Sequence, residues 1–211
     1  MKMSYLDVSK IRICKVLEDN YDIILDEYQK FNFNLTINSS LDRNWELWRK
    51  ANGEVVKQSK EDDTSDTDWD TVVVEPYKKS HSWYGLNVDG TSIWDGAVIA
   101  VRDRSGLHPT PIGEEFFPKT FAIMKKYKEV SDIAIARFSA NQFIPLHKGY
   151  PMLNRVHMGL IVPEGDITFC VGGEKRKWEE RKCLAFNDGS EHTAWNNSDE
   201  DRINVIVDVL A

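Results

Sequence analysis

The chain has 211 residues, of which 41% are hydrophobic, 29% charged and 11% aromatic, a composition typical of a globular protein. The 34 acidic residues outnumber the 27 Lys and Arg residues and give a formal net charge of −7. That charge disfavours binding to a phosphate backbone, so we expect no nucleic-acid partner. A chain of this length can bury one sizeable core, and we predict a single domain over residues 1–211.

The three cysteines, Cys14, Cys170 and Cys183, are odd in number and lack the spacing of a zinc knuckle. They are therefore expected to be reduced thiols rather than a secreted-type disulfide framework. The N-terminus lacks the apolar run of a signal peptide, and no stretch approaches the roughly 18 apolar residues that span a bilayer. We expect a cytoplasmic protein without a membrane segment.

The first part of the chain, residues 1–130, is predicted to be a helical support region. Apolar residues recur at helical spacing over residues 8–31, without Gly or Pro, and predict an amphipathic helix. A second helix is predicted over residues 42–51. Residues 59–70 are dense in acids and poor in aliphatic side chains, and this composition predicts a mobile acidic loop.

The second part of the chain changes character. Short β-rich runs, separated by turn residues, occupy residues 133–139, 156–162, 167–171, 183–186 and 203–210. This spacing predicts a mainly β sandwich or barrel over residues 131–211, with flanking helices.

Three of the five histidines, His147, His157 and His192, lie in this β-rich part. Taken singly, each is more often a core or surface residue than a ligand. Two imidazoles far apart in sequence nevertheless suit a barrel whose mouth receives one ligand from each of two strands. Iron, with open positions for substrate and O₂, fits such a site better than a closed structural zinc.

The order of the segments from His147 onward resembles the aspartyl/asparaginyl β-hydroxylase family of 2-oxoglutarate oxygenases. The triplet His147-Lys148-Gly149 is similar to the family's His-x-Gly triplet, and residues 186–192 are similar to its Phe-Asp-Asp-Ser-x-x-His stretch. The resemblance covers roughly residues 117–209. It implies a double-stranded β-helix, the jelly-roll or cupin-like barrel, in which His147 and His192 are the metal ligands and catalytic residues.

Gly149 cannot act as a ligand through a side chain, although most related oxygenases complete a two-His-one-carboxylate triad at this position. The resemblance implies that water fills it. Asp188 or a halide stays open as an alternative ligand there.

By the same resemblance, Arg202 binds 2-oxoglutarate, and Ser139, Arg155 and His157 lie around the cosubstrate. A guanidinium can form two parallel hydrogen bonds with a carboxylate, which a lysine cannot. The alternative is that Arg202 only begins an edge strand among the acidic residues 199–201.

The function implied is an Fe(II)- and 2-oxoglutarate-dependent hydroxylase that consumes O₂ and releases succinate and CO₂, with ascorbate as a reductant in vitro. Its substrate would be an amino acid, a peptide or protein side chain, or an acyl chain. A cupin-like isomerase or hydrolase with zinc or manganese, and a non-catalytic ligand-binding barrel, stay open. The sequence does not predict the substrate or the oligomeric state.

Overall fold

The computed structural model describes residues 5–31, 82–86 and 92–210. The helix predicted over residues 42–51 and the acidic loop predicted over residues 59–70 lie outside the described residues.

The N-terminal region forms a short 3-10 helix, Val8–Lys10, and two α-helices, α1 (Arg12–Asp19) and α2 (Tyr21–Lys30). The prediction of one continuous helix over residues 8–31 is therefore wrong. The chain leaves helical geometry at Asn20, with φ −111° and ψ 15°, and its backbone N–H bonds back to the carbonyl oxygens of α1. A short polar side chain that can bond to its own backbone favours such a break. No helix in the described residues is long and apolar enough to cross a membrane.

Two shorter helices, α3 (Pro111–Phe116) and α4 (Pro118–Met124), each begin with a proline, whose missing N–H costs nothing in the first helical turn. The buried carboxylate of Glu27 in α2 accepts hydrogen bonds from the backbone N–H groups of Lys119 and Thr120, at 2.7 and 2.9 Å. Glu27 thus satisfies the free donors at the start of α4 and ties the two helices together.

The described residues form eleven strands. They are β1 (Ser82–Leu86), β2 (Ser92–Asp103), β3 (Gly106–Pro109), β4 (Val130–Phe138), β5 (Gln142–His147), β6 (Leu153–Ile161), β7 (Ile167–Val171), β8 (Glu174–Lys177), β9 (Cys183–Asn187), β10 (His192–Asn196) and β11 (Arg202–Leu210).

The strands pair in two antiparallel sheets. The large sheet has the order β1-β2-β4-β11-β6-β9, with β3 also paired to β2, and the small sheet has the order β5-β10-β7-β8. From β4 onward the chain crosses back and forth between the sheets, and only β7 and β8 follow each other within one. Eight strands wound in this way form a jelly roll. The predicted double-stranded β-helix is confirmed.

The description of residues 1–130 as a helical region is wrong in one respect, because β1, β2 and β3 extend the large sheet. Strand β2 pairs along its length with β4, for example Ala97 with Ile135. Its consecutive residues Ala97, Val98, Ile99 and Ala100 are all buried, so the strand lacks the apolar-polar alternation that marks a half-exposed strand.

The two faces of the large sheet have different surroundings. Alternate residues of β11, such as Val205 and Val207, pack in one core with α1 and α2. The opposite face, which we call the inner face, turns toward the small sheet, where Phe138 and Phe186 pack with Phe169 of β7. Since side chains alternate along a strand, Arg202 and Asn204 of β11 project from the inner face.

Candidate active site

The structure brings His147 and His192 together at the ends of β5 and β10. The two residues are cross-strand partners, and their ring centroids lie 3.9 Å apart. Ala194 pairs with Ile144, so β5 holds one residue more than β10 between the two pairs, which is a β-bulge. The extra residue turns His147 to the same side of the sheet as His192, as bulges next to active sites often do.

His192 is held as a neutral imidazole. Its Nδ1 lies 2.7 Å from the carbonyl oxygen of Ser190, which can only accept, so Nδ1 donates and Nε2 keeps its lone pair. Burial lowers the pKa of His192 to about 4. A metal-binding histidine must be deprotonated at one nitrogen, and this side chain meets that condition at neutral pH.

The carboxylate of Asp188 occupies the space beside Gly149. A Cβ atom at position 149 would lie 1.9 Å from Asp188 Oδ2, so a side chain cannot stand there unless Asp188 moves. Asp188 Oδ2 accepts a hydrogen bond from the backbone N–H of Tyr150 at 2.8 Å, and Oδ1 lies 4.0 Å from His192 Nε2. Among the described residues, no group of three or more His, Cys, Asp or Glu side chains is arranged to hold a metal ion.

Arg155 is fully engaged by carboxylates. Its Nε and Nη2 donate to the two oxygens of Asp208 at 2.7 and 2.8 Å, and Nη1 forms an ion pair with Asp188 Oδ1 at 2.8 Å. Burial opposes the charge, but the two carboxylates outweigh it and raise the pKa of Arg155. Arg155 therefore ties β6 to β11 and to the segment before β10, and it holds Asp188 near the histidine pair.

Arg202 differs, because it is buried and no carboxylate among the described residues pairs with it. Only 4% of the residue is exposed, and Nε and Nη1 have no hydrogen-bond partner. The guanidinium lies over the Trp178 ring at 4.3 Å and the Phe138 ring at 5.2 Å. Burial lowers its pKa to about 9. Strand β11 lies between β4 and β6, so Arg202 is not an edge-strand residue pointing into solvent.

His157 lies between these two groups. Both ring nitrogens are buried without a hydrogen-bond partner, and burial lowers the pKa well below the usual value. Its ring stacks with the rings of Trp178 and Phe169, whose centroids lie 6.1 and 5.3 Å from its own. The Phe169 ring also meets the His192 ring edge-on, with the centroids 5.9 Å apart. A continuous aromatic layer therefore connects Arg202 with the histidine pair.

Ser139, the last of the predicted site residues, directly follows β4. The residue before it, Phe138, is the cross-strand partner of Arg202. The backbone carbonyl oxygen of Ser139 accepts a hydrogen bond from Asn196 Nδ2 at 3.1 Å. Its position is at the Arg202 end of the inner face.

The family described as Aspartyl/Asparaginyl beta-hydroxylase matches residues 18–211. The chain belongs to this family. Its relatives include the ornithine lipid ester-linked acyl 2-hydroxylase of Rhizobium tropici, 35% identical over 96 residues, and the aspartyl/asparaginyl beta-hydroxylase of Mus musculus, 31% identical over 98 residues. Each match covers 44% of this chain, but only 34% of the Rhizobium protein and 13% of the mouse protein.

Solved structures with distant likeness include a 2OG-Fe(II) oxygenase family oxidoreductase from Burkholderia pseudomallei. It has a TM-score of 0.40 and 13% identity over 56% of this chain and 68% of that chain. A predicted oxalate decarboxylase from Thermotoga maritima has a TM-score of 0.37 and 14% identity over 56% of this chain and 81% of that chain.

This member of the hydroxylase family carries two buried polar side chains that the sequence analysis did not assign to the site. Asn204 is fully buried on the inner face, and neither its Nδ2 nor its Oδ1 has a hydrogen-bond partner. The indole Nε1 of Trp178 is also buried without one. The available sequence signal was Asn204 itself, a single amide within an apolar strand and two residues after Arg202.

The residues present fit the groups that the family implies. Two imidazoles on adjacent strands suit a divalent transition metal with open positions. The buried guanidinium of Arg202 suits a carboxylate, because an unpaired buried charge is costly and a carboxylate accepts two of its hydrogen bonds.

Proposed function

We propose that this chain is an Fe(II)- and 2-oxoglutarate-dependent hydroxylase. In this proposal His147 and His192 hold the metal, and Arg202 binds the distal carboxylate of 2-oxoglutarate. The observation that carries it is the buried, unpaired guanidinium of Arg202, joined by one aromatic layer to a pair of histidines whose rings lie 3.9 Å apart.

When bound, iron(II), O₂ and 2-oxoglutarate would supply the oxidant that hydroxylates an unactivated C–H bond, with succinate and CO₂ as the co-products. The chain's own contribution would be positioning. The hydrogen bond from His192 Nδ1 to the Ser190 carbonyl fixes the imidazole's tautomer and direction. The rings of Phe169, Trp178 and Phe186 line the interior and exclude water from the space between the histidines and Arg202.

We propose that His147 and His192 are the protein ligands and that water completes the coordination. Asp188 is held by the Tyr150 N–H and by the Arg155 ion pair, and these contacts keep its Oδ1 4.0 Å from His192 Nε2. Both carboxylate oxygens of Asp188 thus already have partners within the protein, which favours water over Asp188 as the further ligand.

The surface near His147 supports a substrate with an apolar portion. Of the six exposed large hydrophobic residues in the described chain, four lie within residues 143–152: Phe143 (55% exposed), Leu146 (36%), Tyr150 (72%) and Met152 (76%). Among the substrate classes implied by the resemblance, an acyl chain or an apolar peptide side chain gains more from this surface than a free charged amino acid. The Rhizobium relative is named for acyl hydroxylation.

The test is an anaerobic titration of the protein with iron(II) and 2-oxoglutarate, followed by its visible metal-to-ligand charge-transfer band. An aerobic assay with ascorbate then measures succinate against metal-free protein and His147→Ala controls. We expect the band, and slow succinate formation without a prime substrate. Absence of both would contradict the proposal and favour a non-catalytic barrel. Activity that needs zinc or manganese but no 2-oxoglutarate would instead support the cupin-like isomerase or hydrolase.

A further inference from the structure

The amide of Asn204 is the most isolated polar group on the inner face. The residue is 0% exposed, and both its donor and its acceptor lack a hydrogen-bond partner. Leaving a buried polar group unsatisfied is expensive, whereas an apolar residue of similar shape carries no such cost. A ligand atom that accepts from the amide Nδ2 would explain an asparagine at this position.

The neighbours of Asn204 leave it facing the interior rather than another side chain. Its cross-strand partners are Ala136 on β4 and Gly159 on β6, and Ala136 in turn pairs with Gly96 on β2. On the β4 side, no side chain in this row is larger than a methyl group. Small side chains therefore flank the amide in that direction.

On the β6 side, Gly159 permits a close contact with another part of the backbone. A Cβ atom at Gly159 would lie 2.4 Å from the carbonyl oxygen of Glu179, so only glycine lets this backbone lie against the sheet. Trp178, the residue before Glu179, lies over the guanidinium of Arg202. The segment of Trp178 and Glu179 thus covers the inner face beside both Asn204 and Arg202.

Asn204 stands two residues after Arg202 on the same face of β11, which separates the two Cα atoms by roughly 6.5–7 Å. His157 is the cross-strand partner of Ile206, a further two residues along. Unpartnered polar atoms of Arg202, Asn204 and His157 therefore follow one another along the inner face. A carboxylate has about four lone-pair positions, and a guanidinium fork uses only two of them.

We propose that Asn204 is a second cosubstrate-binding residue, whose Nδ2 donates to the same carboxylate that Arg202 grips. Its identification with the distal carboxylate of 2-oxoglutarate rests on the proposed function. The amide adds a directed hydrogen bond without a second buried positive charge, so the pocket gains selectivity for a carboxylate end at low electrostatic cost.

The experiment uses glutarate as well as 2-oxoglutarate, because glutarate keeps the distal carboxylate but lacks the oxo group that chelates a metal. Binding of each is measured by thermal shift and by tryptophan fluorescence, to which Trp178 beside Arg202 should respond. The variants are Asn204→Leu, Asn204→Asp and Arg202→Met, with the exposed Asn197→Ala as the matched control. Asn204→Ala replaces Asn204→Leu if the larger side chain prevents folding.

We expect Asn204→Leu to weaken glutarate and 2-oxoglutarate binding at least tenfold, and to raise the melting temperature of the ligand-free protein by removing an unsatisfied amide. Asn204→Asp should weaken binding further, because its charge repels the ligand and competes for Arg202. Asn197→Ala should bind both ligands as the parent does.

Unchanged binding in Asn204→Leu would overturn the inference and leave Asn204 as a structural amide only. A parent protein that binds neither dicarboxylate would overturn it as well. Binding that depends on both Asn204 and Arg202, without succinate formation by the iron-loaded protein, would support the carboxylate site and contradict the hydroxylase proposal. The two proposals can therefore fail separately.

Discussion

The two faces of the large sheet are both buried, yet they are completed in different ways. On the helix side, Ile135, Val156 and Val205 are 0% exposed and pack with the apolar faces of α1 and α2. On the inner face, Arg202 and Asn204 are as deeply buried but keep polar atoms without partners. The helix side is completed by apolar packing within the chain, whereas the polar atoms of the inner face are not all paired among the described residues.

Two arginines sharpen the comparison. Arg155 has its guanidinium bound by Asp208 and Asp188, while Arg202 has aromatic rings around it and no hydrogen bond from Nε or Nη1. The same residue type is therefore paired with carboxylates at one position and unpaired among the described residues at the other. Burial alone does not distinguish them; the presence or absence of a counter-charge does.

The largest expected effect comes from removing either histidine of the pair. His147→Ala and His192→Ala should each lower iron(II) affinity at least a hundredfold, since each removes one of the two proposed protein ligands. Iron content after dialysis, measured by a colorimetric chelator, checks this. The exposed His108→Ala is the matched control and should keep the parent's iron.

His157→Ala extends this test to the inner face. It should keep measurable iron but weaken 2-oxoglutarate binding, because the ring lies between the histidine pair and Arg202. Equal loss of metal in all three histidine variants would argue for a three-histidine site and for the cupin-like alternative.

Gly149→Ala tests how tightly Asp188 fills its space. The new Cβ would lie 1.9 Å from Asp188 Oδ2, so the carboxylate must leave the Tyr150 N–H and Arg155. We expect a loss of about 2–3 kcal/mol in the free energy of unfolding, measured by urea denaturation. In an Asp188→Ala background the same substitution should cost much less. An equal cost in both backgrounds would show that the crowding lies elsewhere.

The pH dependence of stability tests whether His157 is kept neutral. Burial lowers its pKa in the folded state well below 6.5, so at acidic pH the unfolded chain binds a proton that the folded chain does not. The stability due to the neutral ring is complete above about pH 6.5 and is lost as the pH falls. The loss grows as the pH falls further below 6.5, until His157 is protonated in the folded chain as well.

The variant His157→Phe should lose correspondingly less stability over the same pH range, because it keeps an aromatic ring but cannot be protonated. Urea denaturation at several pH values gives the comparison. His108→Phe, at an exposed position, should retain the parent's pH dependence. Parallel curves for the parent and His157→Phe would mean that His157 is protonated in the folded protein.

Several features of the fold could be predicted from the sequence because they depend on local patterns. The runs at 133–139, 156–162, 167–171, 183–186 and 203–210 correspond to β4, β6, β7, β9 and β11, which carry strong apolar residues. Strands β5, β8 and β10 were not predicted. Strand β5 contains a proline, and β10 has polar residues at both ends. Strand β8 (Glu174–Lys177) is entirely charged, so its pairing with β7 comes from the sheet rather than from its own composition.

The residues of the candidate site also fall into those that the sequence could predict and those that it could not. Motif resemblance identified His147, His192 and Arg202, which the structure brings to one interior. It could not assign Asn204, because the sequence does not show whether an asparagine in a strand has hydrogen-bond partners. Nor could it tell that Asp208 and Asp188 engage Arg155, since those pairs join residues distant in sequence. Long-range partners decide which buried polar groups are free.

The smallest expected effect is the most specific test of the inner face. Arg202→Lys keeps a positive charge in the pocket but removes the planar fork that can form two parallel hydrogen bonds with a carboxylate. We expect the apparent dissociation constant for 2-oxoglutarate to rise more than tenfold, which corresponds to a loss of about 1.4 kcal/mol in binding free energy, while iron affinity hardly changes. The charge-transfer titration measures both quantities in one experiment.

Arg181→Lys is the control, because Arg181 is an exposed arginine that pairs with Asp22 on the helix side of the molecule. It should bind 2-oxoglutarate as the parent does. If Arg202→Lys also binds like the parent, a bidentate carboxylate contact at Arg202 is contradicted. The unpaired polar atoms of the inner face would then need an explanation other than a dicarboxylate ligand, even if His147 and His192 hold a metal.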